Sequence, residues 1–331
     1  MRAVSADDVV ELPRAFSGQR LDWRDLPAHV RRRIALLAGS QVTAESSATS
    51  GFSPGFVAVL ELGDGSAVFV KAVSPRESPG SPDLARAEIR VAEALPDEAP
   101  APRLLWWDDD GEWVLSGWSA VHGRTPAIPW LPDDLTAVLA ALGRLATIRP
   151  KPGHRLASTP DVLADDFTGW RLLAAAGDGA RARLGATLGP LGSWAMEQLA
   201  DLVRWEATAP RVLAGDHLVH GDVRSDNIMI EEHHQVWFID WPHASVGAPW
   251  LDLAFMLPSI AAEGGGPAAE LFAAQPVAAQ VPADDLRAAL GGLAGYFAWQ
   301  SLQPDPQGIP NLRTYQLAQA RATLHWLRSL A

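Results

Sequence analysis

The stretch of sequence that decides the fold is residues 220–230, HGDVRSDNIMI, followed closely by residues 236–240, VWFID. Two apolar runs stand after a polar loop and are separated by a short polar turn. This pattern predicts a loop, a strand, a tight turn and a second strand that ends in an acid. Such a hairpin brings Asp222, Asn227 and Asp240 together at the loop and strand ends.

These three side chains suit phosphoryl transfer. The reaction asks little covalent chemistry of a protein, but it needs a carboxylate at the attacking hydroxyl and oxygen ligands for magnesium at the phosphates. Asp222 fits the first role. Mg²⁺ prefers carboxylate, amide and water oxygens, which Asn227 and Asp240 supply. The order of Asp, then Asn five residues later, then Asp after a hairpin matches the kinase pattern.

The chain resembles the aminoglycoside phosphotransferase and choline kinase superfamily in His220-Gly221-Asp222, Asn227-Ile228 and Ile239-Asp240-Trp241. The resemblance implies an α+β, bilobal, protein-kinase-like fold. We therefore expect an N-terminal lobe with a small antiparallel β-sheet and one functionally important helix, and a larger, mainly helical C-terminal lobe. It also implies Mg²⁺ as cofactor and transfer of the γ-phosphate of ATP or GTP to a hydroxyl of a small molecule.

An aminoglycoside-like antibiotic or a related natural product is the leading acceptor by this resemblance. Choline, ethanolamine or a sugar is the alternative among kinases. A nucleotide-binding pseudokinase that regulates a partner is the alternative from a different functional class. The full set of Lys71, Asp222, Asn227 and Asp240 argues against a pseudokinase, because a binding module does not need all four.

Two further interpretations of the decisive stretch remain open. Asp222 and Asp226 would also serve as loop caps and Asn227 as a turn residue, because turns favour these residue types in any protein. His217, His220 and Asp222 would also suit a hydrolytic zinc, although no further histidine cluster completes such a site. The phosphoryl-transfer interpretation accounts for more residues, and it makes His220 a buried hydrogen-bonding residue that supports the loop.

Upstream, the pattern predicts an N-terminal lobe over residues 1–116, beginning with a helix at residues 26–38. An Asp-Gly turn then joins two strand-like runs, and Lys71 stands at the end of the second run. The resemblance places Lys71 at the α- and β-phosphates. Gly51 and Ser53 belong to a loop one hairpin earlier that is predicted to cover the phosphates, because glycine lets backbone amides approach an anion closely.

The remainder of this lobe is predicted to complete the nucleotide site. A helix over residues 82–95 carries Glu88 at the margin of its apolar face, and in kinase-like folds such an acid orients the phosphate-binding lysine. Two strands follow. Residues 116–119, with Ser116 and Trp118, are predicted to form the hinge whose backbone contacts the purine.

The C-terminal lobe is predicted over residues 117–331 and is mostly helical, with one apolar stripe in residues 135–145 and another in residues 191–207. Residues 149–190 are rich in Pro, Gly and Ala and are not assigned to elements. The resemblance suggests that they shape the acceptor pocket. Asp252 is expected to brace the catalytic loop, and the weak candidates for acceptor contacts are Arg224, Asp226, Trp241 and Trp299.

Composition sets the remaining limits. The 331 residues carry a formal net charge of -12, so a nucleic-acid backbone would be repelled. The same acidity suits a cationic acceptor, or it serves solubility. There is no cysteine, the first residues include acids where a secretory signal needs an apolar core, and no segment has the length and apolarity of a membrane span. We expect a cytoplasmic enzyme that binds neither nucleic acid nor membrane.

Overall fold

An antiparallel sheet forms the smaller lobe of the computed structural model, which describes residues 20–47, 55–76, 79–306, 309 and 311–331. The sheet order is β1-β2-β3-β5-β4. The elements of this lobe, in chain order, are helix α1 (Ala28–Leu37), strands β1 (Val42–Ser47), β2 (Phe56–Leu62) and β3 (Ala67–Val73), helix α2 (Ser81–Ala94), and strands β4 (Leu104–Asp109) and β5 (Val114–Ser119). The predicted phosphate-loop residues Gly51 and Ser53 lie outside the described residues.

The sheet has two apolar faces because successive side chains of a strand point to opposite sides. One face buries alternate residues of β2, β3 and β5 against α1, including Phe56, Val70 and Ile34. The other face carries a smaller cluster in which Val73 and Ile89 of α2 pack together. Lys71 therefore lies on the α2 side of the sheet.

The predicted hinge at residues 116–119 is wrong in its placement. These residues lie inside β5, which pairs with β3 on one side and β4 on the other. A central strand commits its backbone donors and acceptors to its neighbours, so this stretch is not open to a purine. The segment that leaves the sheet begins at Ala120, and further along Arg124 exchanges two backbone hydrogen bonds with Ile230, of 3.0 and 2.8 Å.

The larger lobe is mainly helical. Its helices are α3 (Pro132–Leu145), α4 (Thr159–Val162), α5 (Gly169–Ala175), α6 (Asp178–Leu188), α7 (Pro190–Glu197), α8 (Leu199–Leu213), α9 (Leu251–Ala262), α10 (Ala268–Ala273), α11 (Ala283–Gln300) and α12 (Leu312–Leu330). Two short antiparallel pairs accompany them, β6 (His217–Val219) with β9 (Ser245–Gly247), and β7 (Ile228–Ile230) with β8 (Val236–Phe238). Within the described ranges, no helix is both long and apolar enough for a transmembrane segment.

The region that composition left unassigned contains α4, α5 and α6. Its apolar residues are too sparse and irregular to mark these short helices. The stripe at residues 191–207 is not one helix but nearly all of α7 and the first part of α8, which meet at Gln198. At Gln198 the backbone leaves the helical region (φ −94°, ψ 9°), a change that an apolar stripe alone does not reveal.

Glycines let α5 cross α11 at close range. A methyl group on Gly169 would overlap the carbonyl oxygen of Gly295, so the two helix backbones touch where they cross. The start of α5 is also held by the buried carboxylate of Glu206 on α8, which accepts the N–H groups of Trp170 (2.8 Å) and Arg171 (3.0 Å). This crossing fixes α11 relative to the previously unassigned region.

We predict that Gly169→Ala lowers the free energy of unfolding by about 1–3 kcal/mol, because the added methyl group forces the two helices apart. The matched control is Gly143→Ala in α3, where nothing lies within 4 Å of the added carbon. That variant should gain up to about 1 kcal/mol from helix propensity. Urea unfolding of both variants tests the crossing, and equal stability would contradict it.

Candidate active site

The hairpin of β7 and β8 sets Asn227 beside the end of the second strand. Ile228 pairs with Phe238, and the N–H of Ile239 donates to the carbonyl oxygen of Asn227 at 2.9 Å. Asp240 then adopts a positive φ of 66°, which ends the strand and turns the chain. Asn227 and Asp240 therefore leave the same open end of the hairpin.

A carboxylate on α9 holds the loop that carries Asp222. Asp252 accepts the backbone N–H of His220 at 2.8 Å and that of Gly221 at 2.9 Å, one with each oxygen. Gly221 has φ 82°, and a side chain there would also press on the carbonyl oxygen of His243, 2.8 Å from the added carbon. Burial raises the pKa of Asp252 to about 6, although both N–H groups favour the ionised form.

His220 ties this loop to the hairpin. Its ring is fully buried, and burial lowers its pKa to about 4, so the ring is neutral near pH 7. Nδ1 accepts the N–H of Asp222 at 3.2 Å. Nε2 lies 3.1 Å from the carbonyl oxygen of Ile239 and is therefore the protonated nitrogen that donates to it. His220 thus fixes the distance between Asp222 and the residue just before Asp240.

Asn227 and Asp222 are joined directly. The amide nitrogen of Asn227 donates to the carbonyl oxygen of Asp222 at 2.9 Å and to its carboxylate at 3.2 Å. These contacts orient the amide group, and they use its nitrogen. Its oxygen is therefore the atom suited to a cation. With Asp240, the site has the carboxylate and amide oxygens that a hard cation such as Mg²⁺ prefers.

The donor set does not suit zinc. Among the described residues, no group of three or more His, Cys, Asp or Glu side chains is placed to hold a metal. Structural and catalytic zinc sites need three or four such ligands, whereas Mg²⁺ is commonly held by one or two protein oxygens with water and phosphate. The arrangement of Asn227 and Asp240 fits the second case.

Lys71 connects the two lobes. Its ammonium lies 2.9 and 2.7 Å from the two oxygens of Glu88 on α2, and 2.9 Å from Asp240 of the larger lobe. Burial would lower the pKa of Lys71, but the two carboxylates outweigh burial and raise it. For Asp240, burial would raise the pKa, and the Lys71 ammonium instead lowers it to about 2. Lys71 and Asp240 therefore both remain charged near pH 7.

Arg224 lies between two carboxylates of its own loop. Its Nη1 lies 2.9 and 2.8 Å from the two oxygens of Asp222, while Nε and Nη2 each donate to Asp226 at 3.0 Å. These hydrogen bonds engage both side chains within the loop itself, and the contact of Arg224 and Asp226 with an acceptor stays a prediction. Burial raises the pKa of Asp222, and the Arg224 charge opposes that rise.

The other predicted residues lie in different parts of the fold. Trp241 is buried, donates its indole N–H to the carbonyl oxygen of Phe238 at 2.7 Å and packs on His220, so its predicted acceptor contact is wrong. Ser116 and Trp118 share the sheet face of Lys71 and hydrogen-bond to each other at 3.0 Å. Trp299 is half-buried on α11, against Gly169.

Sequence reasoning missed Glu263, which follows the end of α9. Its carboxylate accepts the hydroxyl of Ser225 at 2.8 Å and the indole N–H of Trp130 at 2.8 Å. Ser225 lies in the loop that carries Asp222, so Glu263 supports that loop in addition to Asp252 and His220. No motif surrounds Glu263, and only the folded position of α9 reveals it.

A family model described as the phosphotransferase enzyme family matches residues 48–302. The chain belongs to this family. It is a small-molecule kinase with a protein-kinase-like fold. A comparison with curated proteins gives no match.

Solved structures of other phosphotransferases share the fold at low identity. A thermostable mutant of aminoglycoside phosphotransferase APH(4)-Ia, in ternary complex with ADP and hygromycin B, has 16% identity and a TM-score of 0.55, covering 92% of this chain and 98% of that one. Choline kinase LicA from Streptococcus pneumoniae has 13% identity and a TM-score of 0.55, covering 91% and 98%. The amicoumacin kinase hAmiN, in complex with AMP-PNP, Ca²⁺ and Ami, has 12% identity and a TM-score of 0.50, covering 89% and 92%.

We predict that Asp252 sets an acidic limb in the pH–rate profile. Below about pH 6 its carboxyl group is protonated. One of the two oxygens that accept backbone N–H groups then carries a proton, so the loop loses a hydrogen bond and the rate falls. Asp252→Asn keeps only one acceptor at all pH values, so it should lower kcat about tenfold and remove this limb. If the acidic limb of the pH–rate profile is unchanged in Asp252→Asn, the group that titrates is Asp222 instead.

Proposed function

We propose that this family member transfers the γ-phosphate of ATP or GTP to a hydroxyl of a small molecule, with Mg²⁺ as cofactor. The observation that carries the proposal is one continuous set of contacts across the two lobes. Glu88 holds Lys71, and Lys71 contacts Asp240. The residue before Asp240 donates its N–H to Asn227, whose amide group binds Asp222. This is the order of groups that a phosphate chain, its metal and an attacking hydroxyl require.

Each side chain then has a defined task. Lys71 binds the nucleotide phosphates, and Glu88 keeps its ammonium in place. The oxygens of Asn227 and Asp240 would hold Mg²⁺, which when bound neutralises the charge of the β- and γ-phosphates. Asp222 orients the acceptor hydroxyl and receives its proton. The Arg224 charge opposes the rise in the pKa of Asp222 that burial causes, and so favours the ionised form that a base needs.

An aminoglycoside-like antibiotic or related natural product is the acceptor that we propose. Two observations support a cationic acceptor, the formal net charge of -12 and a second carboxylate, Asp166, near a tyrosine that Asp222 also approaches. The charges of Asp166 and Asp222 both raise the pKa of Tyr296, after the larger effect of burial, so both carboxylates lie near this tyrosine. Choline, ethanolamine or a sugar is the second candidate, and the likeness to a choline kinase fold supports it.

We predict that Asp222→Ala lowers phosphate transfer by about 10²–10⁴-fold, because the acceptor hydroxyl loses its base. Binding of Mg²⁺ and nucleotide should change little, since Lys71, Asn227 and Asp240 remain. The assay is release of ADP or GDP over a panel of aminoglycosides, amino alcohols and sugars, with nucleotide affinity measured by calorimetry. Asp178→Asn, at a fully exposed carboxylate of α6, is the control. Loss of nucleotide binding in Asp222→Ala would make Asp222 a structural residue.

We also predict that Asn227→Ala raises the Mg²⁺ concentration needed for half-maximal rate by about tenfold, because one ligand oxygen is removed. Ser225→Ala in the same loop is the matched control. It loses the Glu263 hydrogen bond but no predicted ligand. Rates measured against Mg²⁺ at fixed nucleotide separate the two roles. If both variants shift the Mg²⁺ dependence equally, Asn227 supports the loop and does not bind the metal.

A further inference from the structure

Arg20 lies beside the start of β2 in the sheet, although it precedes the first helix by several residues. It forms a parallel bridge with Gly55, and the N–H of Leu21 donates to the carbonyl oxygen of Gly55 at 3.1 Å. Gly55 stands two residues before Val57, which pairs directly with Lys71. The extended segment at Arg20 therefore runs beside β2, close to the row of the sheet that carries Lys71.

The side chain of Arg20 projects from the same face as Lys71. Paired residues of neighbouring strands share a face, and alternate residues of one strand do as well. Gly55, Val57 and Lys71 are related in this way, and Arg20 is the bridge partner of Gly55. The next residue, Leu21, packs against the apolar cluster on the opposite face, beside α1, as the alternation requires.

The electrostatic surroundings agree with this direction. Arg20 is half-buried, and burial lowers the pKa of its guanidinium, while the nearby Asp240 carboxylate opposes that effect. Asp240 belongs to the larger lobe and contacts Lys71. The guanidinium of Arg20 therefore faces the crevice between the lobes, near the carboxylate proposed to hold the metal.

Lys71 and Arg224 are the two other cations of the site. Lys71 is shared by Glu88 and Asp240, and Arg224 is shared by Asp222 and Asp226. A nucleoside triphosphate brings several negative charges into this acidic crevice, so it needs positive charge beyond one lysine and the metal. A guanidinium suits the task because its planar N–H groups bind two phosphate oxygens at once.

We propose that Arg20 is a nucleotide-binding residue that contacts the phosphate chain from the N-terminal side of the crevice. This inference rests on the proposed kinase function. It assigns to the segment before α1 a role in the site, and it predicts that the contribution of Arg20 is confined to the phosphates. Nucleoside binding should not depend on it.

The test compares Mg·ATP with adenosine, and Mg·GTP with guanosine, by calorimetry on the full chain. Arg20→Gln should weaken binding of the triphosphate by roughly tenfold or more and leave nucleoside binding unchanged. Arg20→Lys should recover part of the loss. The matched control is Arg24→Gln in the same segment, because the side chain of Arg24 is 82% exposed and pairs only with Asp22 among the described residues. This control should bind all ligands as the wild type does.

Two results would overturn the inference. Arg20→Gln with unchanged triphosphate affinity would exclude the contact, and equal weakening of triphosphate and nucleoside would make Arg20 a structural residue. A wild-type protein that binds no nucleotide would instead refute the kinase proposal and this inference with it. If Arg20→Gln does not fold, labelling of the wild type by phenylglyoxal decides. Mg·ATP, and not adenosine, should protect Arg20, and absence of protection would overturn the proposal.

Discussion

The ammonium of Lys71 is the point at which the two lobes meet chemically. It is shared between Glu88, which is 5% exposed, and Asp240 of the larger lobe. Taking these charges out of water is costly, and only their mutual contacts offset the cost. Removal of Lys71 would leave two carboxylates without their counter-charge, and an uncompensated buried charge typically costs about 3–5 kcal/mol. The sheet, α2 and the hairpin that ends at Asp240 are therefore constrained to one relative position around this group.

In the larger lobe, hydrogen bonds from side chains, and not a sheet or an α-helix, hold the loop that carries Asp222 in place. Asp252 takes two backbone N–H groups, His220 spans from the loop to the hairpin, and Glu263 holds Ser225. Each support is buried or half-buried, so water competes poorly for these hydrogen bonds. The loop positions Asp222 through at least three independent anchors, which is the preorganisation that phosphoryl transfer needs from a protein.

Much of this arrangement could be predicted from the sequence because it depends on local patterns. Period-two runs around an Asp-Gly turn predict β2 and β3, and the spacing of Asp222, Asn227 and Asp240 follows from a hairpin of fixed length. The misplaced features depend on contacts between distant segments. The strand β5 extends to Ser119 because β4 and β3 both pair with it, and Trp241 is buried because His220 lies against it. The places of Glu263 and Arg20 likewise follow from packing and not from any motif.

Arg224 has a consequence for acceptor choice. Within the loop that carries Asp222, the guanidinium of Arg224 is paired with Asp222 and Asp226, and the hydroxyl of Ser225 donates to Glu263. Most polar groups of these side chains therefore already have partners within the protein when an acceptor arrives. Discrimination between acceptors must then come from elements outside the loop. The helices of residues 159–188 and the exposed side of α11 are the candidates. Asp166 lies between α4 and α5, and Tyr296 lies on α11. The close crossing at Gly169 fixes α5 and α11 against each other, so the relative position of these proposed acceptor elements depends on a contact between two helix backbones.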